Sequence, residues 1–284
     1  MTKRIAYLSQ QGGTDRRHAL ERLVTPGFEV EHFETGAWLY PADPADMLVT
    51  ELAFVEAVMR AEADGFDGVV IGAVSDYGLA VARASVAIPV IGSGQASLVT
   101  AAGLGDRFGI VTIWSEAQGF VYDRLLHDSP VGERCVSVRH VSSIAEQATL
   151  ADPDNFYTQM LDRRETMIER IVDEIEAAAR EGADTVVLGC NCMTPVAETL
   201  AARASIPVID PTAAGYRFVE TAVALGLMHA KDARLPARSA RQPLYAELVA
   251  TADHLIGAPE ECEVCILDDD GNASCGVPEP AVII

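Results

Sequence analysis

A formal charge of −21 on 284 residues, from 21 Lys and Arg against 42 Asp and Glu, repels a phosphate backbone, so no nucleic-acid partner is expected. Apolar residues make up 49% of the chain, yet no run approaches the roughly 18 to 20 residues that a membrane-spanning helix needs, and no membrane association is expected. The opening residues, MTKRIAYLSQQGG, lack the apolar stretch and small-residue cleavage site of a secretory signal, which predicts a cytoplasmic protein whose six cysteines stay thiols without a structural disulfide.

Taken in order, apolar runs predict strands at residues 4–8, 28–33, 68–71, 108–113, 136–141 and 185–188, and helical spacing predicts helices at 47–64, 117–126, 156–181 and 213–225. The chain also repeats itself. Residues 65–97 (GFDGVVIGAVSDYGLAVARASVAIPVIGSGQAS) match 182–215 (GADTVVLGCNCMTPVAETLAARASIPVIDPTAAG) almost throughout: Gly-x-Asp, an apolar strand, a glycine, a helical stretch ending in Ala-Arg-Ala-Ser, then Ile-Pro-Val-Ile. Continuous apolar runs such as 68–71 and 185–188 suit strands of a parallel sheet covered by helices on both faces. The fold class that follows is α/β, with two doubly wound parallel-sheet domains related by a pseudo-twofold and the active site in the cleft between them. The first domain is expected at 1–112, completed by about 208–230, and the second at 113–207. Residues 231–284 read as an extension with a short helix at 244–256 and an acidic tail ending in VPEPAVII.

Ligands of open parallel sheets bind beyond the carboxyl ends of the strands, so the repeat marks two equivalent positions, Ala73 and Cys190, each preceded by a glycine that lets the backbone turn tightly. Thr194 is expected to cap a helix that has Pro195 at its first position, and the positive end of that helix favours a Cys190 thiolate and offers amides to an anionic substrate. Ser9 and Gln10 close the first strand. Trp38 and Tyr40 suit a lid or pocket wall, against the plainer reading of aromatic side chains anchored on the core.

The segment VVLGCNCMTPVAETLAARASIPVIDPTAAG resembles the second cysteine motif of the aspartate/glutamate/hydantoin racemase superfamily, and VVIGAVSDYGLAVARASVAIPVIG resembles the first. The resemblance extends over roughly residues 4–226. It implies a racemase-type enzyme without metal or organic cofactor, acting on a small carboxylate or amide, in which one thiol removes an α-proton and another delivers a proton to the opposite face. Carried over by motif, Cys190 is the second thiol, while the first position holds Ala73, which cannot carry a proton. This single-cysteine pattern is similar to that of arylmalonate decarboxylase, where loss of carbon dioxide leaves an enediolate that one thiol protonates. The same resemblance implies substrate contacts from Ser9, Gln10, Ser75 and the amides around Ala73, Val74 and Asn191, with Trp114 standing where the decarboxylase has a tyrosine. Three readings remain open: a racemase-type enzyme built on Cys190, a one-cysteine decarboxylase or lyase of a malonate-like acid, and a silent small-acid binding protein.

Asp76, Tyr77 and Cys192 are alternative bases by position, although a strand-end Asp commonly caps the next helix and Cys192 suits packing. The Gly92-Ser93-Gly94 stretch after a strand suits an anion, yet it lacks the rest of a dinucleotide fingerprint. Cys262, Cys265 and Cys275, with His254, have partial zinc-ligand spacing but lack a second close pair, and no metal is expected. A homo-oligomer is expected.

Overall fold

The structure, a computed structural model, describes residues 2–9, 19–37, 39, 41–229 and 241–256. Gln10, Trp38, Tyr40, the three C-terminal cysteines and the VPEPAVII ending lie outside the described residues.

The two copies of the repeat are built alike. The first sheet has the order β2 (Phe28–Glu34), β1 (Lys3–Ser9), β3 (Gly68–Ile71), β4 (Val90–Gly92). The second has the order β6 (Cys135–His140), β5 (Phe108–Thr112), β7 (Thr185–Leu188), β8 (Val208–Ile209), and all six strand pairings are parallel. Equivalent hydrogen bonds recur in both. Asp67 N donates to Arg4 O and Asp184 N to Arg107 O, each at 2.8 Å, and Gly72 N donates to Leu8 O and Gly189 N to Val111 O, each at 2.7 Å.

The shared Gly-x-Asp signature has a physical reason. Gly65 and Gly182 adopt positive φ, 80° and 96°, where a side chain would be strained. The aspartate two residues on turns its carboxylate onto the neighbouring strand: Asp67 accepts from Arg4 N (2.9 Å), and Asp184 from Asp106 N and Arg107 N (2.9 and 3.0 Å). The motif therefore pins each inner strand to its partner.

Helices cover both sheets. On the first lie α1 (Asp46–Ala63) and α2 (Leu79–Ser85). α3 (Ser93–Leu104) begins directly at the end of β4, α4 (Gly119–Asp128) follows β5, and α5 (Ile144–Gln147) follows β6. The helix expected at 156–181 is two helices, α6 (Phe156–Leu161) and α7 (Glu165–Arg180), because the chain breaks at Arg163 with φ 54° and continues through an extended Arg164. Asn155 caps α6 through the amides of Tyr157 and Thr158, and α7 buries Met167, Ile168, Ile171, Ile175 and Ala178, one face of a helix. α8 (Ala197–Arg203), α9 (Pro211–Ala224) and α10 (Gln242–Ile256) complete the order, α10 extending two residues before the expected 244–256. No helix among the described residues is long and apolar enough to cross a membrane.

The division between halves differs from the expectation in one place. β5, expected to end the first half, is the central strand of the second sheet, paired with β6 and β7. Its apolar run would be buried in either sheet, so composition alone does not assign it. After β8, α9 packs on β1, β3 and β4 of the first sheet. Its counterpart α3 crosses the other way and packs on β5, β7 and β8 of the second. The two halves thus exchange a helix, and the exchanged helices pack directly on each other.

The glycines before Ala73 and Cys190 allow no side chain. A Cβ on Gly72 would lie 2.6 Å from the Leu8 carbonyl oxygen, and one on Gly189 would lie 2.6 Å from Thr112 Cβ. Neither neighbour is the free end of a flexible chain. Gly72→Ala and Gly189→Ala are each expected to lower stability by about 1–3 kcal/mol, the range for overpacking a filled core. Urea unfolding monitored by circular dichroism checks this, and an unchanged midpoint in both variants would contradict the packing described.

Candidate active site

The carboxyl ends of the four inner strands converge through one line of contacts. Ser9, at the end of β1, is buried beside the Gly72 turn, where Gly72 N donates to Leu8 O. The same turn carries half-buried Ala73, buried Val74 and half-buried Ser75, whose hydroxyl makes no hydrogen bond among the described residues. Gly72 lies against the ring of Tyr7, and the Tyr7 hydroxyl accepts from Asn191 Nδ2 at 3.1 Å. Asn191 follows Cys190 directly, so Ala73 and Cys190 are each one residue away from a contact of the same tyrosine ring.

Cys190 is extended (φ −152°, ψ 136°) and half-buried, and it begins the 3-10 helix Asn191–Val196. Its Sγ accepts from Cys192 N at 3.1 Å, which makes Cys190 itself the cap. The cap expected at Thr194 is displaced by one turn because the Thr194 hydroxyl is engaged elsewhere, donating to Asp210 Oδ1 (2.8 Å) beside Thr212 Oγ1 (2.7 Å), and Pro195 lies within the 3-10 helix. The expectation that the cysteines stay unpaired is also corrected. Cys190 and Cys192 form a disulfide, their Cα atoms 5.1 Å apart, because an extended residue followed by a tight helical turn brings side chains two positions apart onto one side. Cys135 is the free cysteine among the described residues.

Behind Cys190, the buried Tyr122 hydroxyl from α4 donates to the Gly189 carbonyl (2.9 Å) and stands 2.6 Å from the Thr112 hydroxyl. Burial holds this phenol above its ordinary pKa, so it is a neutral donor. Beside it, Asn191 Nδ2 reaches Thr212 Oγ1 (3.0 Å) as well as Tyr7, while Asn191 Oδ1 is enclosed with no partner among the described residues, a cost of about 1–3 kcal/mol. Asp210 accepts from Thr194 and from Thr212 N, and desolvation raises its carboxyl above the ordinary range. Tyr7, Tyr122, Thr212 and Asp210 were not singled out from the sequence. A tyrosine inside an otherwise apolar strand, as at Tyr7, is the available signal, since a buried hydroxyl needs a partner.

Trp114 follows β5, the strand beside β7, and is half-buried like Cys190; both pack on the cluster containing Phe156, Tyr157 and Met193. Its ring stacks on Tyr157 (5.9 Å between centroids, 23° between planes) and meets Phe156 edge-on at 5.8 Å. His140 Nδ1 lies 2.9 Å from the Trp114 carbonyl. Trp114 and Cys190 thus border the same apolar cluster.

The alternative bases are occupied by the fold. Tyr77 is buried in the first core against Phe54, and Cys192 is buried and paired with Cys190. Asp76, at φ 48°, turns its carboxylate onto the amides that open α3, accepting from Gly94 N (2.9 Å) and Gln95 N (2.7 Å). The Gly92-Ser93-Gly94 stretch is thus an anion cradle filled from within, and a Cβ on Gly92 would lie 2.4 Å from the Asp76 carboxyl carbon. Among the described residues, no group of three or more His, Cys, Asp or Glu could hold a metal.

The family model described as Asp/Glu/Hydantoin racemase matches residues 37–219. A hydantoin racemase from Pseudomonas sp. (strain NS671) is 30% identical over 173 residues, 61% of this chain and 64% of its own length. The aligned part thus spans somewhat under two thirds of that relative. Among solved structures, allantoin racemase from Klebsiella pneumoniae superposes with a TM-score of 0.69 at 24% identity, covering 84% of this chain and 95% of the other. A liganded variant of arylmalonate decarboxylase superposes with a TM-score of 0.56 at 16% identity, covering 81% and 96%.

The Asp76 cap carries a pH signature. Desolvation outweighs the two amide bonds and pushes its carboxyl up to about 7, so between its unfolded value of 3.8 and about 7 the folded chain binds the proton more tightly than the unfolded chain. The stability this proton confers is present below about pH 4 and is lost as the pH rises through about 7. Asp76→Asn should remove this slope, so the wild type should lose stability relative to the variant over that interval. Urea unfolding of both proteins from pH 4 to pH 8 checks it; parallel curves would refute the assignment.

Proposed function

Because the chain belongs to the Asp/Glu/hydantoin racemase family, a family of racemase-type enzymes, we propose that it forms and protonates a carbanion or enolate beside an amide or carboxylate carbonyl, without a cofactor, using Cys190. The observation that carries this reading is the pairing of two equivalent strand-end turns around Tyr7, one ending in Cys190 and the other in Ala73. The hydantoin racemases among its relatives support a cyclic amide, whose ring carbon is acidified by the adjacent carbonyl, as the substrate class.

In this mechanism the reduced Cys190 takes or gives the proton. The Cys192 N–H aimed at Sγ stabilises a thiolate, since a hydrogen bond to the charged form lowers the cost of ionisation. Tyr122 holds the Gly189 carbonyl, and so the turn, in place. The charge developing on the substrate oxygen is met by the Ser75 hydroxyl and the amides of Val74 and Asn191; one such donor is worth about 2.7–4 kcal/mol in enzymes where it has been removed. Ser9, Gln10 and Trp114 complete the assigned contacts, Trp114 supplying an apolar wall for the substrate side chain.

Ala73 favours a second reading. With one thiol, loss of carbon dioxide from a malonate-like acid leaves an enolate that needs a single proton, and protonation from the Cys190 side gives one enantiomer. Racemisation needs a proton on each face.

Incubation of the reduced protein in deuterated water with 5-substituted hydantoins and with substituted malonates separates the two. Deuterium exchange with loss of optical rotation and no carbon dioxide marks the first reading; carbon dioxide with one chiral product marks the second. Cys190→Ala should lower either activity by about 10²–10⁴-fold, the usual contribution of a general acid or base, and full activity in that variant would sink the mechanism. Ala73→Cys should create or raise racemisation, and an unchanged profile would show that position 73 does not face the reacting carbon.

A further inference from the structure

We propose that Cys190 and Cys192 form a reversible oxidation site, in which a hydroperoxide closes the disulfide and a dithiol reopens it; its effect on activity rests on the Cys190 mechanism above. The two sulfurs are bonded across a single intervening residue, with Cα atoms 5.1 Å apart. A ring this small removes little entropy from the unfolded chain, because that entropy grows with loop length, so stabilisation of the fold does not account for the pair.

The two cysteines differ in exposure as an attacking and a resolving thiol do. Cys190 is half-buried at the strand end, where a small solute can reach it, whereas Cys192 is 3% exposed and packs in the apolar core. The Cys192 N–H at 3.1 Å favours the Cys190 thiolate, the form that peroxides oxidise. The turn is held independently of the sulfurs: Met193 N donates to Cys190 O at 3.0 Å, and Asn191 is tied to Tyr7 and Thr212. Closing the disulfide therefore requires no opening of the fold. Cys135 supplies an internal contrast, because burial pushes its thiol up to about 11.

The chemistry balances in two steps. The Cys190 thiolate attacks the hydroperoxide, forming a sulfur–oxygen bond and breaking the oxygen–oxygen bond, and the departing alkoxide or hydroxide takes up a proton. The Cys192 sulfur then attacks the Cys190 sulfenic acid, forming the disulfide and expelling hydroxide, which leaves as water with the Cys192 proton. Two thiols and one hydroperoxide give a disulfide, one alcohol or water, and one further water. An external dithiol restores both thiols by exchange and becomes a disulfide itself.

The test uses the full chain, reduced with dithiothreitol, freed of it, and exposed to hydrogen peroxide. Trypsin releases residues 181–203 as one fragment holding both cysteines, since no Lys or Arg lies between. Mass spectrometry after iodoacetamide should show that fragment unalkylated and lighter by two hydrogens, while deuterium exchange into substrate falls at least about tenfold and dithiothreitol restores it. Cys192→Ser should leave Cys190 to over-oxidise to the sulfinic acid, which dithiothreitol does not reverse. Both cysteines alkylated in the peroxide-treated wild type would overturn the proposal, as would a Cys192→Ser fragment in which peroxide adds no oxygen to Cys190. A disulfide that forms and reverses with activity unchanged would overturn the Cys190 mechanism and the switch with it; absence of the disulfide would leave that mechanism standing.

Discussion

The structure depends on the exchange of two helices. α3 leaves the first sheet and covers the second, α9 leaves the second and covers the first, and the two meet where their side chains are smallest. A Cβ on Gly215 would lie 2.9 Å from Ser93 Oγ and 3.1 Å from Ser93 Cα, so the backbones approach too closely for any larger residue. Ser93 itself is fixed, its hydroxyl donating to the Ile71 carbonyl at 2.7 Å. Two sheets clasped in this way cannot slide past each other without breaking both helix contacts. That constraint keeps the turn before Ala73 against the Tyr7 ring and the turn after Cys190 bonded to the Tyr7 hydroxyl.

A polar network crosses the junction that the helices hold. Tyr7 comes from β1, Asn191 from the cysteine turn, and Thr212 with Asp210 from the start of α9, and their hydrogen bonds run between the halves. Buried networks of this kind specify one arrangement, because a slipped alternative leaves several donors and acceptors unmet. The geometry beside Cys190 is therefore set jointly by both halves and by the exchanged helix. A defect in any of the three moves the Cys190 sulfur.

The sequence made the repeat legible, and with it the strands 68–71 and 185–188, the glycine turns after them and the equivalence of Ala73 and Cys190. These rest on local chemistry, apolar runs and turn glycines, that needs no knowledge of distant partners. What stayed hidden was set by partners. The apolar pattern of β5 reports burial but not which sheet buries it, and the periodicity of 156–181 runs through a break that a single positive φ at Arg163 imposes. The start of α3 is hidden because Gly92-Ser93-Gly94 suits an external anion, whereas the group that occupies its amides is the Asp76 carboxylate, eighteen and nineteen positions away from Gly94 and Gln95. Two cysteines two apart read as packing for the same reason, since only the turn geometry shows that they meet.

The symmetry of the scaffold makes the asymmetry of its chemistry informative. The backbone bonds that place Gly72 and Gly189 are both 2.7 Å long, so the two turns differ in what they carry rather than in how they are held. One carries a sulfur with an amide aimed at it, and the other a methyl group. In the mechanism proposed above, a carbon acid seated between them would meet a proton carrier on one face and an inert wall on the other, and the proton for the far face would have to come from water. Access of water along the Ala73 side, rather than the acidity of Cys190, then becomes the quantity that separates inversion of a stereocentre from its one-sided protonation.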